Sequence, residues 1–187
     1  MNLEGLRTLA ARIEWSESTG STNSDLVSAV TENEAQWPDF SVLGSDFQAA
    51  GRGRSGRAWV APAGSSIFVS VLLRPNLKPS NGFGWLPLMA GLAVRDALAS
   101  IWPTSDFSVK WPNDVLVGNR KIAGVLSEYV PAVNAVVLGA GINLWQREGD
   151  LPIDQATSLA LEGATDFTSE QVLAAYLKRL REEYDAL

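Results

Sequence analysis

The sequence predicts an α+β domain in which a mixed, mostly antiparallel central sheet is flanked by helices. Apolar segments rich in β-branched residues follow one another through the middle of the 187-residue chain, and helical patterns lie at both ends. Between two of the predicted strands stands Gly118-Asn119, a pair typical of a hairpin turn, which favours antiparallel pairing. We expect one domain without internal repeats.

The N-terminal part is predicted to supply two helices and the first strand. The spacing of leucine and isoleucine predicts a helix over 2–13, and a small, polar stretch predicts a loop over 16–24. A short helix over 25–31 and a strand over 40–44 are expected to follow.

The central and C-terminal parts are predicted to hold most of the sheet. The β-branched content of 65–74 predicts a central strand, and a loop over 75–83 leads to a buried helix over 86–101. Further strands are expected at 107–111, 115–117, 122–129 and 133–138. A capping box that begins at Thr168 predicts the start of a final amphipathic helix.

Composition excludes several kinds of chemistry. The chain has no cysteine and no histidine, so disulfides, thiolate nucleophiles and catalytic triads built on histidine are excluded. Any reaction must therefore use Lys, Arg, Asp, backbone amides and a hard cation such as Mg²⁺. A net charge of −6 argues against a general nucleic-acid binder. No apolar run is long enough for a membrane span and no secretory signal is evident, so we expect a cytoplasmic protein.

One segment concentrates positive charge in this acidic chain. Residues 51–57, here called the Gly-Arg loop, read Gly-Arg-Gly-Arg-Ser-Gly-Arg, and Trp59 follows. Its glycines permit positive φ and close approach to a ligand, and its guanidinium groups match phosphate oxygens in pairs. The spacing also fits a dinucleotide-binding fingerprint, but Pro62 and Gly64 would break the helix that such a site needs. We predict a cradle for a nucleotide or another polyanion, with a solvated basic turn as the alternative.

Three other segments carry weaker signals. Lys110-Trp111-Pro112-Asn113-Asp114 and Lys121-Ile122-Ala123-Gly124 flank the predicted hairpin, which could direct both ammonium groups into one cleft or form an ordinary charged surface. Gly139-Ala140-Gly141-Ile142-Asn143 is predicted at a strand end, where it could admit a ligand or form a tight turn. Ser21-Thr22-Asn23 could bind a ligand or serve only as a helix cap.

Taken together and in this order, these segments resemble the catalytic domain of biotin–protein ligases. The resemblance includes Gln48 before the Gly-Arg loop and Ala156-Thr157-Ser158-Leu159 near the C-terminal side. It implies the fold shared by class II aminoacyl-tRNA synthetases and biotin–protein ligases. It also implies two half-reactions. Biotin and MgATP form biotinyl-5′-AMP and pyrophosphate, and biotin is then transferred to a lysine of a biotin carboxyl carrier domain.

The resemblance also implies a role for each matching residue. Lys121, Arg54, Asp114 and Lys110 are the implied catalytic residues, with Asp114 near the incoming lysine. Biotin binding is implied for Ser21, Thr22, Asn23, Gln48, Arg52, Gly53, Arg54 and Lys121. Nucleotide binding is implied for Arg52, Arg54, Arg57, Trp59, Lys110, Asn113 and Asn143. No side chain is implied as a metal ligand.

The expected organisation is a catalytic domain over 1–187, without an N-terminal DNA-binding domain or a small C-terminal β-barrel domain. Biotin, ATP and the carrier domain are the implied partners, a homodimer is compatible with the resemblance, and neither nucleic acid nor a membrane is expected. Three rivals stay open: a lipoate–protein ligase or octanoyltransferase, a non-catalytic biotin or nucleotide sensor, and a single-strand nucleic-acid binder that stacks bases on tryptophan.

Overall fold

A single seven-stranded sheet organises the computed structural model, which describes residues 1–76, 83–153 and 155–187. The strands are β1 (Arg12–Ser16), β2 (Ser41–Ser45), β3 (Ser66–Leu73), β4 (Phe107–Lys110), β5 (Asp114–Val117), β6 (Arg120–Val130) and β7 (Ala135–Asn143). Their spatial order is β1-β2-β3-β7-β6-β5-β4. The first pair is parallel and the others are antiparallel, so the predicted mixed, mostly antiparallel sheet is confirmed.

Within the described residues, three α-helices cover the sheet unequally. They are α1 (Thr22–Glu32), α2 (Leu86–Ile101) and α3 (Ser169–Asp185). The last two pack against each other and against one face, where they close the main hydrophobic core. The first packs on the opposite face through Leu26 and Val30, in a smaller core with Leu72 and Val137. Among the described residues, no helix is both long and apolar enough to span a lipid bilayer.

The central strands divide their side chains between the two faces. In β3, Val69 and Val71 belong to the main core, whereas Leu72 belongs to the smaller core under α1. The alternation follows from the two-residue period of a strand. All eight residues of β3 are buried, and the strand lies between β2 and β7 at the middle of the sheet. The face that carries α1 is only partly covered by that helix, and the remainder is available for a site.

The predicted helix over 2–13 is wrong. Only a 3₁₀ turn forms there, at Glu4–Leu6, and the chain continues into β1 at the sheet edge. Despite the regular leucine spacing, this segment is irregular. It packs Leu6 against the main core, where the side chain is 2% exposed. Trp15 then packs over Gly44 of the parallel neighbour, where a Cβ atom would overlap the indole ring. Tertiary packing therefore overrides the local pattern.

The other predicted elements are confirmed, with shifted ends. The short helix begins at Thr22 and not at Asp25, and the capping box at Thr168 is present with both of its hydrogen bonds. The hairpin at Gly118-Asn119 joins β5 to β6. The last strand was predicted to end at Leu138 but continues to Asn143, so the tight-turn interpretation of 139–143 is wrong. Of the predicted loop over 75–83, residues 77–82 lie outside the described residues.

Candidate active site

A cavity of about 390 Å³ opens on the face of the sheet that α1 covers in part. It brings together residues that are far apart in the sequence. The predicted site residues in its wall are Ser21, Thr22, Asn23, Gln48, Arg52, Gly53, Arg54, Arg57, Trp59, Asn113, Lys121 and Asn143. The predicted residues outside the wall are Lys110 and Asp114. The structure therefore assembles in one place most of the residues that the motifs suggested.

Buried hydroxyl and amide groups form the end of the cavity next to α1. The backbone N–H and the hydroxyl of Thr22 lie 2.8 and 3.1 Å from Gln48 Oε1. Ser70 of β3 reaches the same cluster, with its Oγ 2.8 Å from Thr22 Oγ1 and 2.6 Å from Asn23 Oδ1. Ser21, Thr22 and Asn23 are each about 5% exposed. This end is built to meet a polar group that carries both donors and acceptors.

Asn23 has room for its amide because β7 has no side chain at position 139. A Cβ atom on Gly139 would overlap Asn23 Oδ1. The Asn23 amide nitrogen donates to the carbonyl of Leu126 at 3.3 Å and to Glu128 Oε2 at 2.9 Å. The packing of Asn23 thus explains the glycine at position 139, whether or not a ligand binds.

The Gly-Arg loop is a compact excursion that folds back on itself. Arg52 faces Ala58 in an isolated antiparallel bridge, and the Gly53 N–H donates to the carbonyl of Arg57 at 2.7 Å. Of its three glycines only Gly56 has a positive φ, of 73°, next to Ser55 at 57°. Gly51 is required for a different reason, since a Cβ atom there would overlap the carbonyl oxygen of Trp59. The expectation of positive φ is thus confirmed only at Gly56.

Two arginines tie the loop to the sheet. Arg52 forms an ion pair with Glu128 on β6 at 2.9 Å and donates to Ser24 Oγ at 3.1 Å. Arg54 donates to Asn113 Oδ1 at 2.9 Å. Within the described ranges, neither Arg54 nor Arg57 forms an ion pair with a carboxylate. Their charge is available to an anion in the cavity.

Lys121 and Trp59 lie together beside the loop. The Lys121 Nζ is 2.7 Å from Asp114 Oδ1 and 5.2 Å from the centroid of the Trp59 ring. The indole lies over Gly124 and Gly141, which pair directly across β6 and β7. A Cβ atom on Gly141 would be 2.7 Å from Trp59 Cε2, and one on Gly124 would be 2.8 Å from Cζ3. The two glycines form a floor that lets a flat ring lie against the sheet.

Two predicted residues have surroundings that the motifs did not suggest. Lys110 is exposed and does not line the cavity, so only Lys121 of the two predicted lysines faces it. Asn143 lines the cavity, but its amide is engaged with protein groups, with Nδ2 2.9 Å from the carbonyl of Thr157 and Oδ1 2.9 Å from Gln146 Nε2. Asn143 therefore also holds the 156–159 segment in place.

Sequence reasoning missed several wall and supporting residues, namely Ser70, Glu128, Phe68, Leu126, Pro152 and Ile153. Ser70 carried a usable signal because it interrupts the apolar run of β3, and Glu128 did so because it is a charged residue in the second half of β6. Pro152 and Ile153 lie in a loop whose position is set only by tertiary pairing, in which Lys121 N–H donates to the carbonyl of Gln155 at 2.6 Å.

The arrangement suits a reaction between anions. Guanidinium and ammonium groups lie at one end of a partly apolar cavity, where they can stabilise charge that develops on transferred phosphate. Among residues 1–76, 83–153 and 155–187, no cluster of three or more His, Cys, Asp or Glu side chains could hold a metal ion.

The chain is similar to known biotin ligases in sequence. It is 40% identical to the biotin–[acetyl-CoA-carboxylase] ligase of Mycobacterium tuberculosis over 164 residues, which are 87% of this chain and 60% of that relative. It is 33% identical to the bifunctional ligase/repressor BirA of Escherichia coli over 138 residues, which are 72% of this chain and 42% of that protein. The chain thus spans less than two thirds of the length of these relatives.

Solved structures agree with the sequence comparison. The biotin protein ligase from Aquifex aeolicus in complex with biotin and ATP superposes with a TM-score of 0.79 at 34% identity, over 94% of this chain and 71% of that one. The Leishmania major enzyme in complex with biotinyl-5-AMP has the same fold, with a TM-score of 0.73 at 22% identity over 94% of this chain and 81% of that one. The model of the biotin/lipoate A/B protein ligase family matches residues 15–143. With the fold, the cavity and these matches in agreement, the chain belongs to the biotin/lipoate A/B protein ligase family.

Proposed function

We propose that the chain is an ATP-dependent biotin–protein ligase that activates biotin as biotinyl-5′-AMP and transfers it to a lysine of a biotin carboxyl carrier domain. The observation that carries this proposal is the single cavity in which the Gly-Arg loop, Lys121 and the hydroxyl and amide cluster meet. One end offers donors and acceptors for a ureido ring, and the other offers cations for a carboxylate and a phosphate.

In the first step a carboxylate oxygen of biotin attacks the α-phosphorus of ATP. A new P–O bond forms, and the bond to the departing pyrophosphate breaks. Two anions must meet in this reaction, so most of the barrier is electrostatic. Arg54 and Lys121 would lie at the phosphorus and the carboxylate, while Arg52 and Gly53 would form the lid above them. Magnesium, when bound with ATP, supplies further positive charge to the phosphates.

In the second step the carrier lysine amine attacks the acyl carbon of the adenylate. A C–N bond forms, the mixed anhydride C–O bond breaks, and AMP leaves. The amine must lose a proton, and Asp114 is the proposed acceptor because a carboxylate can act as a general base. Its contact with Lys121 at 2.7 Å supports this role, since Lys121 is a proposed cation of the first step. Lys110, the proposed assisting cation, is exposed outside the cavity.

The adenine of the nucleotide would stack on the face of Trp59 that points away from the floor made by Gly124 and Gly141. Trp59 is the proposed aromatic partner of adenine, because its indole already lies against this floor and Lys121 lies beside the ring. Arg57 and Asn113 border the same part of the cavity. Asn143 would contribute to nucleotide binding indirectly, because its amide holds the 156–159 segment at the carbonyl of Thr157.

The adenylation step is tested by pyrophosphate release from biotin and MgATP. Lys121→Ala and Arg54→Ala are each expected to lower the rate about 100-fold or more, because each removes a cation from the transition state. Arg179→Ala on α3, whose side chain pairs only with Glu182 in the described structure, is the matched control and should behave as wild type. Rates near wild type in the first two variants would contradict their assignment.

The transfer step is tested separately, with isolated adenylate and a carrier domain followed by mass detection of the modified lysine. Asp114→Asn is expected to slow this transfer more than it slows pyrophosphate release. Equal effects on both steps would assign Asp114 to the placement of Lys121 instead.

A wild-type protein that binds biotin but forms no adenylate would be a sensor, and one that accepts lipoate or octanoate in preference would be the related acyltransferase. A cytoplasmic location and a homodimer remain predictions.

A further inference from the structure

Glu128 joins the two ends of the cavity without lining it. This side chain of β6 accepts hydrogen bonds on both oxygens, from Asn23 Nδ2 at 2.9 Å and Arg52 Nη1 at 3.3 Å on Oε2, and it forms the ion pair with Arg52 Nη2 at 2.9 Å on Oε1. One donor belongs to the start of α1 and the others belong to the Gly-Arg loop. A carboxylate is the only common side chain that can accept from all of these donors at once.

The carboxylate sets the orientation of the Asn23 amide. Because ionised Glu128 offers only acceptors, the Asn23 nitrogen must face it, and the carbonyl of Leu126 on the same side reinforces that choice. Asn23 Oδ1 then points to Ser70 at 2.6 Å. Reversal of the amide would place its oxygen against two acceptors, which is costly in a site that is 4% exposed.

The orientation is passed on to the hydroxyl groups. Ser70 has a single proton, and Asn23 Oδ1 can only accept, so that proton is committed to Asn23. The 2.8 Å contact between Ser70 and Thr22 must then be donated by the Thr22 hydroxyl. Gln48 Oε1 keeps the Thr22 N–H, at 2.8 Å, as its donor. The Glu128 carboxylate thus determines which atoms donate and which accept at the end of the cavity next to α1.

We propose that Glu128 is a positioning residue that couples the polar end of the acyl-substrate pocket to the placement of the Gly-Arg loop. Its charge orders the Asn23–Ser70–Thr22 hydrogen bonds and holds Arg52 on the sheet, so both ends of the cavity are set by one side chain. The identity of the substrate as biotin rests on the proposed function. The placement of the loop does not, and it is measured without any ligand.

Loop placement is tested with trypsin on the ligand-free protein under native conditions. Glu128→Gln keeps the shape but replaces one acceptor oxygen by a donor, which should release Arg52. Cleavage after the arginines of the Gly-Arg loop is expected to become about fivefold faster or more. Glu34→Gln is the matched control, since it also removes a glutamate that pairs with an arginine at 2.9 Å, away from the cavity. Cleavage of Glu128→Gln at the wild-type rate overturns the proposal, whatever the protein binds.

The coupling is tested by calorimetric titration of biotin without ATP, so that no turnover is needed. We expect Glu128→Gln to raise the biotin Kd about tenfold or more, with the thermal midpoint close to that of Glu34→Gln. Arg52→Gln should also weaken binding, and the double variant should lose no more than Glu128→Gln alone, because the effect of Arg52 passes through its contact with Glu128. Additive losses, or losses that follow lowered stability, would overturn the coupling. If wild type binds no biotin, the proposed function fails, and the cleavage result alone decides the role of Glu128.

Discussion

Gly141→Ala tests whether the glycine floor positions the indole of Trp59 for a nucleotide. Gly141 lies in β7 opposite Gly124, and a Cβ atom there would be 2.7 Å from Trp59 Cε2 and 2.9 Å from Cζ2. The ring must therefore retreat by about 0.7 Å to regain an ordinary 3.4 Å contact. It can do so because Trp59 is only half-buried, at the end of the Gly-Arg loop.

The size of the effect follows from this displacement. Stacking of a base on an aromatic side chain contributes about 1–3 kcal/mol. A gap of about 0.5–1 Å forfeits a quarter to a half of a dispersion contact. We therefore expect Gly141→Ala to weaken ATP binding by about 0.3–1.5 kcal/mol, which is roughly 1.5- to 12-fold in Kd. Unfolding stability should change by less than about 1 kcal/mol, because the restricted unfolded chain offsets part of the local strain.

The assay is calorimetric titration of a non-hydrolysable ATP analogue, together with urea unfolding of each variant. Gly149→Ala is the matched control, since no atom lies within 4 Å of its added Cβ and the residue is exposed. Trp59→Ala should lose the whole stacking contribution, about 1–3 kcal/mol, and should remove any further effect of Gly141→Ala.

Two results would refute this reasoning. The first is a Gly141→Ala protein that binds the analogue as tightly as Gly149→Ala. The second is a Gly141→Ala effect that persists undiminished in the Trp59→Ala background, because the loss would then not pass through the indole.

Three further predictions concern stability, and urea unfolding checks each of them. Leu138→Ala in the centre of β7, where the side chain is fully buried, should lower the unfolding free energy by about 2–5 kcal/mol through the cavity that it leaves; a loss below 1 kcal/mol would contradict that packing. Thr168→Ala removes the cap that accepts from the Gln171 N–H at 3.1 Å and should cost about 1 kcal/mol, whereas no loss would mean that the helix start is held by tertiary contacts alone. The hydrogen bond from the Asn2 N–H lowers the pKa of Glu170, so ionisation of this carboxylate stabilises the folded state above its unfolded pKa, and the contribution is lost as the pH falls through the folded pKa. Glu170→Gln should therefore destabilise slightly at pH 7 and not at pH of about 3, and an equal effect at both values would refute the linkage.

Much of the site could be predicted because its residue types are unusual for their local sequence surroundings. Three arginines among three glycines in an acidic chain, and a lysine followed closely by Gly124, are patterns that ordinary surfaces do not require. Ser70 and Glu128 show the limit of that approach. Each is a polar residue inside a strand, and its importance depends on partners 47 and 76 positions away, Asn23 and Arg52.

Local patterns misled at the two places where packing outweighs propensity. The leucine spacing of 2–13 indicated a helix, yet the chain there gains more by laying Leu6 on the main core and adding β1 to the sheet edge. The glycines of 139–143 suggested a strand end, yet they continue β7 because close approach of Asn23 and Trp59 requires a strand without side chains on that face.

The amino-acid order alone was enough for most of the elements, the mostly antiparallel sheet and the list of candidate groups, because periodicity and unusual local composition are properties of neighbouring residues. The position of the cavity was decided by tertiary structure. Helices α2 and α3 pack in the main core on one face of the sheet, whereas α1 covers the other face only in part. Lys121 lies in that uncovered region and Lys110, on an edge strand, does not. Which of two similar lysines faces the cavity depends on strand order and on the face to which each side chain points, and these are set by contacts between distant segments.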